Sequence, residues 1–575
     1  MANHFSFINN KPIIQHALAG LFAVLIFAWL GWTLLDEAVL RTSFVHGSYL
    51  IILTLLATWA FTFSYYLKRS DFQIKEYWQE HKVGILFVLA LVAFVFLSVT
   101  AKLRVFSDES NLASIAMSMA FENTVYNSTM GLWYYDAYHA VTNLIPKRPL
   151  VFPTLVSVVH TLTGYRVENA FIVNGIALTA LLWLVYLVTA RRLGKIAGYC
   201  ACLFVLTQPV VSITATSGGF DILSTCFALI TAIAFARYVD KPSALTLALL
   251  WITFLVFANI RYESLVYAGV MAVALLIFRK IRWQDVKANL VLIGPSLLWL
   301  LPTIWQRILS QGKYENPDDR GVLSLEAMGE HFEELIEAQT MWDFVLPYAP
   351  VLTYFAIAVA IFWLGYWAMN KPSFKGNDLA KFSTLFVCLA INLSIFLAHH
   401  NGYFHGPTSV RFYLIFSIAL AWLPVTLFTL PSERLKKGLL GLAGVLFLTY
   451  HSAAMTDKTT KKLLSGRNVA LVNQVIAEQP TKNFLLITSH PGRHTIQNIG
   501  AVNFSHARRK ERTVLRDFKN YLHEDIIVAQ RIDQATGKPI DSDKLPESFK
   551  LEPYRGMKFR SNQYLLISKV VRETE

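Results

Sequence analysis

Charge is scarce in this chain of 575 residues. Lys, Arg, Asp and Glu make up 16% of it and hydrophobic residues 54%, whereas a soluble domain carries about 25% charge. With a mean hydropathy of +0.43, that shortage excludes an ordinary soluble globule. Cysteine is scarcer still. Cys200, Cys202, Cys226 and Cys388 all lie inside apolar runs, so buried, inert thiols are expected and no disulfide framework or zinc site is implied. The Cys200 and Cys202 side chains would point about 200° apart on a helix, which makes a poor metal clamp. A nucleotide phosphate loop is also missing. The glycine-rich "TSGGFD" lacks the lysine and spacing of one, which argues against ATP-driven transport by this chain alone. A cleavable signal is not expected, because the first apolar run, 13–35, is too long for a signal core and no small-residue cleavage pattern follows it.

What is present is a series of long apolar runs. A hydrocarbon core about 30 Å thick needs roughly 20 apolar residues per helix. Spans are expected near 13–35, 47–67, 83–101, 168–190, 196–214, 221–238, 243–259, 263–279, 289–305, 346–369, 382–398, 411–430 and 438–453. The reading is an all-α polytopic membrane protein of about thirteen transmembrane helices. The basic residues behind the formal charge of +14 mostly flank apolar spans, in connections such as "RRLGK", "RKIRWQDVKAN" and "PSERLKKG", or sit in the tail. Six basic loops fall on one side if the N-terminus is cytoplasmic, as the positive-inside rule demands. The partner is then the lipid bilayer of the plasma (inner) membrane, and no nucleic acid is needed to explain the charge.

The opposite face carries the long segment 102–167, the turn 214–221, the short 258–264, the loop 306–345, "AHHNGYFHGPTSVRFY" (398–413) and the tail. The expected organisation is two additional N-terminal helices (1–82), a transmembrane core (83–453) with the outer loop 102–167, and a small exoplasmic or periplasmic α/β domain (454–575). The tail mixes β-rich runs ("FLLITSH", "DIIVAQRI", "QYLLISKVV") with helical patterns and charge. The aromatics of "LWYYDAY" (132–138) are expected to form an interfacial belt. A transporter would place ionisable groups near the bilayer midplane. Here the span centres are nearly charge-free, and acids, arginines and histidines collect at one rim.

That rim suits a substrate whose tail lies in lipid and whose head reacts in water. If a sugar is carried on a lipid phosphate, an acceptor hydroxyl needs a general base and the leaving phosphate needs a cation. Asp108 or Glu109, in "FSDES", could be the base. Lys147 and Arg148, in "IPKRPLVFPTL", could hold the phosphate. Each has a plainer reading. Ser107, Asp108 and Glu109 also look like a capped helix start, and Lys147 and Arg148 like interfacial anchors with snorkelling stems. Arg261 and Glu263, in "NIRYESL", could pair and pin their turn, or Arg261 could face the phosphate. His399, His400 and His405 are spaced too loosely to point to a metal, and ordinary loop histidines are the plainer reading.

The order of these pieces resembles the GT-C membrane glycosyltransferases that use polyprenyl-phosphate sugars, in the branch of the protein O-mannosyltransferases and lipid A aminoarabinose transferases. "FSDES" is similar to the acid pair after an early span. "KRPLVFPTL" is similar to a "KPPLYYW"-like segment, with Lys147 on its lysine. "GYRVENAFIVNGIALTALLWLVYLVTARRLG" resembles the next span and its basic exit, and Asp221, in "SGGFDILSTCFALI", the acid that opens a later one. The resemblance spans roughly 83–430. It implies transfer with inversion from a polyprenyl-phosphate sugar to a lipid, glycan or protein hydroxyl. Asp108 would serve the acceptor, Lys147 and Arg411 the phosphate, and Asp221 could help hold a divalent metal ion. The chain departs from the pattern at Arg148, where the family has a proline, and in the two extra spans before Asp108. An O-antigen-ligase-like transferase using a lipid diphosphate, and a lipid-linked substrate transporter or flippase, are the alternatives.

Overall fold

The computed structural model describes residues 12–70, 72–104, 106–134, 137–310, 323–342, 347–370, 376–399, 402–406, 409–456, 464–481, 483–558 and 562–572. The chain divides into two compact units. One comprises Met1–Lys102, Lys147–Leu155 and Phe171–Asp457; the other comprises Leu103–Pro146, Val156–Ala170 and Lys458–Glu575.

The first unit is built from apolar helices. Among the described residues, ten are long and apolar enough to cross a membrane, or eleven with one bent pair. Their outward faces are apolar rather than polar. Leu97 is 88% exposed, and Leu21, Phe22, Leu86, Ile361 and Leu364 are also bare. Water would penalise such faces and lipid does not. This is a multi-pass membrane protein.

The described residues of the thirteen expected runs are largely helical, but three runs differ from a simple crossing. The expected 196–214 is a bent pair, Lys195–Thr207 and Pro209–Ala215, meeting at 79°. Pro209 is the cause: it has no N–H to give and disfavours helical geometry at the residue before it. Gln208 accordingly sits at ψ 108°. The helices Ala244–Ala258 and Ser264–Ile277 are only about 22 Å and 21 Å long at 1.5 Å per residue, short of a full crossing. Hydropathy alone does not reveal a break or a short helix. All four cysteines are free and buried, as expected.

The second unit holds one sheet of seven strands. β1 is Gly131–Tyr134, β2 Ala137–Ala140, β3 Phe484–Thr488, β4 Gly500–Val502, β5 Asp525–Asp533, β6 Leu551–Lys558 and β7 Gln563–Val570. The spatial order is β2-β1-β4-β3-β5-β7-β6. β3 pairs parallel with β4 and β5, and the other pairings are antiparallel. The three runs read as strands are β3, β5 and β7. The aromatic stretch is not a belt of anchors: its described residues form the β1–β2 hairpin, Trp133 opposite Tyr138, while Tyr135 and Asp136 lie outside the described residues. The α/β unit therefore draws on the first outer segment as well as the tail. Met130 belongs to the same core as Leu485, Val502 and Phe504.

Candidate functional site

In the membrane unit, an arginine–acid cluster forms where three connections meet. The first is the stretch before the helix Asp221–Asp240. Asn174 Nδ2 donates to the carbonyls of Ser217 at 2.8 Å and Gly219 at 2.7 Å, fixing the glycine-rich turn that "SGGF" requires. Asp221 then opens the helix with its side chain 3% exposed. The second is the turn after Ala258. Asn259 Nδ2 donates to the carbonyls of Leu255 and Trp299, its Oδ1 accepts from Thr303 Oγ1 at 2.9 Å, and its carbonyl accepts the Val151 amide. So held, the turn presents Arg261 and Glu263. The third is the 3-10 turn Val410–Tyr413, which carries Arg411.

Arg261 Nη1 donates to Asp221 Oδ1 at 3.0 Å, and its Nε lies 3.4 Å from Glu263 Oε2. Arg411 Nη1 lies 3.6 Å from Asp221 Oδ2. The Arg261 guanidinium stands over the rings of Phe220, Phe396 and Phe412 at 5.3–5.5 Å, and Arg411 is 5.4 Å from Phe412. Aromatic faces attract cations, so the rings favour both guanidiniums in a largely apolar wall. Burying such charges is costly unless they are paired, and Asp221 supplies the pairing. A narrow cleft with a cavity volume of about 10 Å³ adjoins them. Ser224 Oγ, Tyr267 Oη and Asn392 Oδ1 line it with no hydrogen-bond partner among the described residues.

Lys147 and Arg148 are positioned through their backbone. Tyr262 Oη donates to the Lys147 carbonyl at 3.2 Å and Gln306 Nε2 to the Arg148 carbonyl at 2.8 Å. Tyr262 also hydrogen-bonds Gln306 directly. The Lys147 side chain is exposed and that of Arg148 half-buried, and the Arg148 charge acts on Glu263.

The acid pair belongs to the α/β unit. Asp108 and Glu109 stand in the first turn of the helix Phe106–Glu122, at 9% and 1% exposure. Glu109 Oε2 accepts the Arg104 amide at 2.7 Å. Both the cap-like and the chemical reading of this turn therefore have something in the structure: Glu109 bonds backbone, as a helix-start acid does, and Asp108 adjoins it, nearly buried.

Residues 147–305 match the family model of dolichyl-phosphate-mannose-protein mannosyltransferase. Among solved structures, ArnT from Cupriavidus metallidurans bound to undecaprenyl phosphate matches over 85% of this chain and 98% of its own, at 13% identity and a TM-score of 0.51. The same protein in the apo state matches over 86% and 99%, at 14% identity and 0.44. The oligosaccharyltransferase of Archaeoglobus fulgidus matches over 77% and 67%, at 10% and 0.43. No curated protein matches the sequence. The fold is that of ArnT.

Within this fold, Asp221 does not suit the metal role that the resemblance implies. Each of its carboxylate oxygens faces a guanidinium, and two fixed positive charges repel a divalent cation. Among the described residues no group of three or more His, Cys, Asp or Glu side chains is placed to hold a metal. His405 is exposed in the turn 402–406, and His400 lies outside the described residues. The cluster thus brings together Arg261, Glu263, Asp221 and Arg411, with Arg148 nearby in charge. It leaves out His405. Sequence reasoning missed Asn174, Asn259, Tyr262 and Gln306, which act through backbone and carry no motif. It also missed Arg493, though "SHPGRHT" after the apolar β3 packs three ionisable residues into one turn.

Proposed function

We propose that the chain is an integral membrane glycosyltransferase that moves a sugar from a polyprenyl phosphate to an acceptor hydroxyl on the exoplasmic face, with inversion. The observation that carries this reading is the pair Arg261 and Arg411, set against Asp221 and three phenylalanine rings beside a polar cleft. Two fixed guanidiniums in an apolar wall suit a phosphate on a lipid tail, and ArnT, with the same fold, is described bound to undecaprenyl phosphate. Asp108 takes the acceptor proton as the acceptor oxygen bonds the anomeric carbon. The bond from that carbon to the phosphate oxygen breaks, and its electron pair leaves with the phosphate. Lys147, Arg148, Arg261 and Arg411 stabilise the charge that gathers there.

The N-terminus is cytoplasmic in this reading, and segments 102–167 and 454–575 face outward. The test uses the full chain in lipid nanodiscs with a panel of undecaprenyl-phosphate sugars and membrane extracts as acceptor. Release of undecaprenyl phosphate, with an inverted anomeric centre in the product, is expected. Turnover only of lipid-diphosphate donors would assign the chain to the ligase-like class instead. Mass spectrometry of outer glycans from cells with and without the chain then names the sugar and acceptor.

A further inference from the structure

The acid pair is held by the tail. The helix Phe106–Glu122 is stitched to the segment that follows it: Ser114 Oγ donates to the Ser128 carbonyl and accepts its amide, both at 2.8 Å. Ser118 Oγ likewise donates to the Tyr126 carbonyl and accepts its amide. That segment is clamped in turn by residues 490–504. Met130 Sδ accepts the Asn503 amide and Gly131 pairs with Ala501; further along the chain, Tyr165 Oη donates to the Ile496 carbonyl at 2.7 Å. A Cβ on Gly492 would come within 3.2 Å of the Thr129 carbonyl oxygen. So close an approach favours glycine at that point. The short helix Gly492–Thr495 consequently packs against the acid helix, and the buried Arg493 acts electrostatically on Glu109.

We propose that Arg493, from the tail, is a positioning residue for the reaction: its charge holds the buried Glu109 carboxylate on the Arg104 amide and so fixes the turn that presents Asp108. This rests on the acid-pair role in the reading above. A buried carboxylate is costly unless a cation is set against it. The neighbouring guanidinium supplies that charge and remains protonated: burial pulls Arg493 down to about 10, with Glu109 acting in the opposite sense. The other ionisable groups of this neighbourhood are Asp108 and Arg104 on the acid segment, and His490 and His494 beside Arg493. Burial brings the two histidines down to about 4 and about 3, so both are neutral at pH 7. The guanidinium is then the cation set against Glu109 by the tail.

The experiment compares Arg493→Met, which keeps length and volume without charge, with Arg493→Lys, which keeps charge, in the full chain. Hydrogen exchange over residues 103–112 reads the Arg104–Glu109 bond directly and needs no substrate. Exchange over β5 serves as the control for folding. Positioning by charge predicts faster exchange at 103–112 in the Met variant, with β5 still protected and near wild-type protection in the Lys variant. With undecaprenyl-phosphate mannose as donor, the Met variant loses turnover on the order of tenfold to a hundredfold. Its acidic pH limb moves upward, because removing a cation favours the protonated carboxylate, and Lys restores both. Met and Lys variants alike in exchange would overturn the proposal, as would a Met variant that matches wild type. If Met unfolds β5 as well, Lys alone decides, and a Lys variant with exposed 103–112 refutes it. A wild-type chain inactive on every polyprenyl-phosphate donor would remove the proposed function while leaving the exchange result standing.

Discussion

Arg261 donates to Asp221 at 3.0 Å across forty positions of sequence, with Asp221 side-chain exposure at only 3%. The bond joins the start of one helix to the turn after another. It also decides what Asp221 can be: the counter-ion of two arginines.

Asp221→Asn removes that charge and leaves Arg261 and Arg411 facing each other without it. Breaking a buried ion pair by removing one partner costs about 3–5 kcal/mol, so the expected result is a lower melting temperature together with weaker donor binding. Donor KM should rise about tenfold or more if roughly 1.4 kcal/mol of that loss falls on binding. A cation held by Asp221 predicts that EDTA reproduces the Asn phenotype. The arginine clamp predicts that EDTA does not, and a steady-state comparison of the two treatments settles it.

For Asp108, the substitution to Asn separates chemistry from architecture. Asn retains shape and can still cap a helix, but cannot take a proton. Turnover should fall by about a hundredfold or more, the usual scale of general-base loss, with the melting temperature shifting little. Near-normal turnover in a folded Asn variant would return Asp108 to a helix-start role.

Much of this was legible beforehand because it is periodic or chemical. The described residues of the thirteen apolar runs are largely helical, and β3, β5 and β7 stand where β-rich runs occur. The Asp221, Arg261, Glu263 and Arg411 set was visible as charge at the edge of apolar sequence. What stayed hidden depends on contacts distant in sequence. Nothing local in "LWYYDAY" says that it will pair with Gly500–Val502 rather than sit at a lipid interface, since alternation and aromaticity suit either. Lone Asp221 could not reveal that its partners would be arginines. The bend at Gln208 was readable from Pro209, but a hydropathy window averages it away.

Acidification should loosen the α/β unit before most carboxylates titrate. Burial depresses His490 and His523 to about 4 and His494 to about 3, against about 6.5 in an unfolded chain. Between those values the unfolded state binds protons that the folded state refuses. Stability is therefore full above about pH 6.5 and falls as pH drops toward 4, each buried histidine adding up to about 1.4 kcal/mol per pH unit. Hydrogen exchange of β3 and β5 at pH 7, 6 and 5 should show the loss. His523→Gln should flatten the trend in part, and a pH-independent wild type would show that these sites find partners on protonation.

Lys147 gives the sharpest test of the leaving-group site. Its backbone is tied down by Tyr262 while its side chain remains exposed, so Lys147→Ala should leave folding nearly intact. A cation beside the leaving oxygen gains strength as charge develops there, and one such contact is worth on the order of 3 kcal/mol, about a hundredfold in rate. The Ala variant should lose about that much in kcat, because the interaction grows toward the transition state rather than in the bound donor. Lys147→Arg should recover part of it: the charge returns, but a planar fork replaces a compact ammonium. An interfacial anchor behaves differently, since Arg148 would still hold the segment and Ala would be tolerated. Single-turnover rates of the two variants with the undecaprenyl-phosphate sugar that the wild type turns over distinguish these outcomes. Equal rates for Ala and wild type would move the proposed leaving-phosphate contact to Arg261 and Arg411, which share Asp221 as counter-ion.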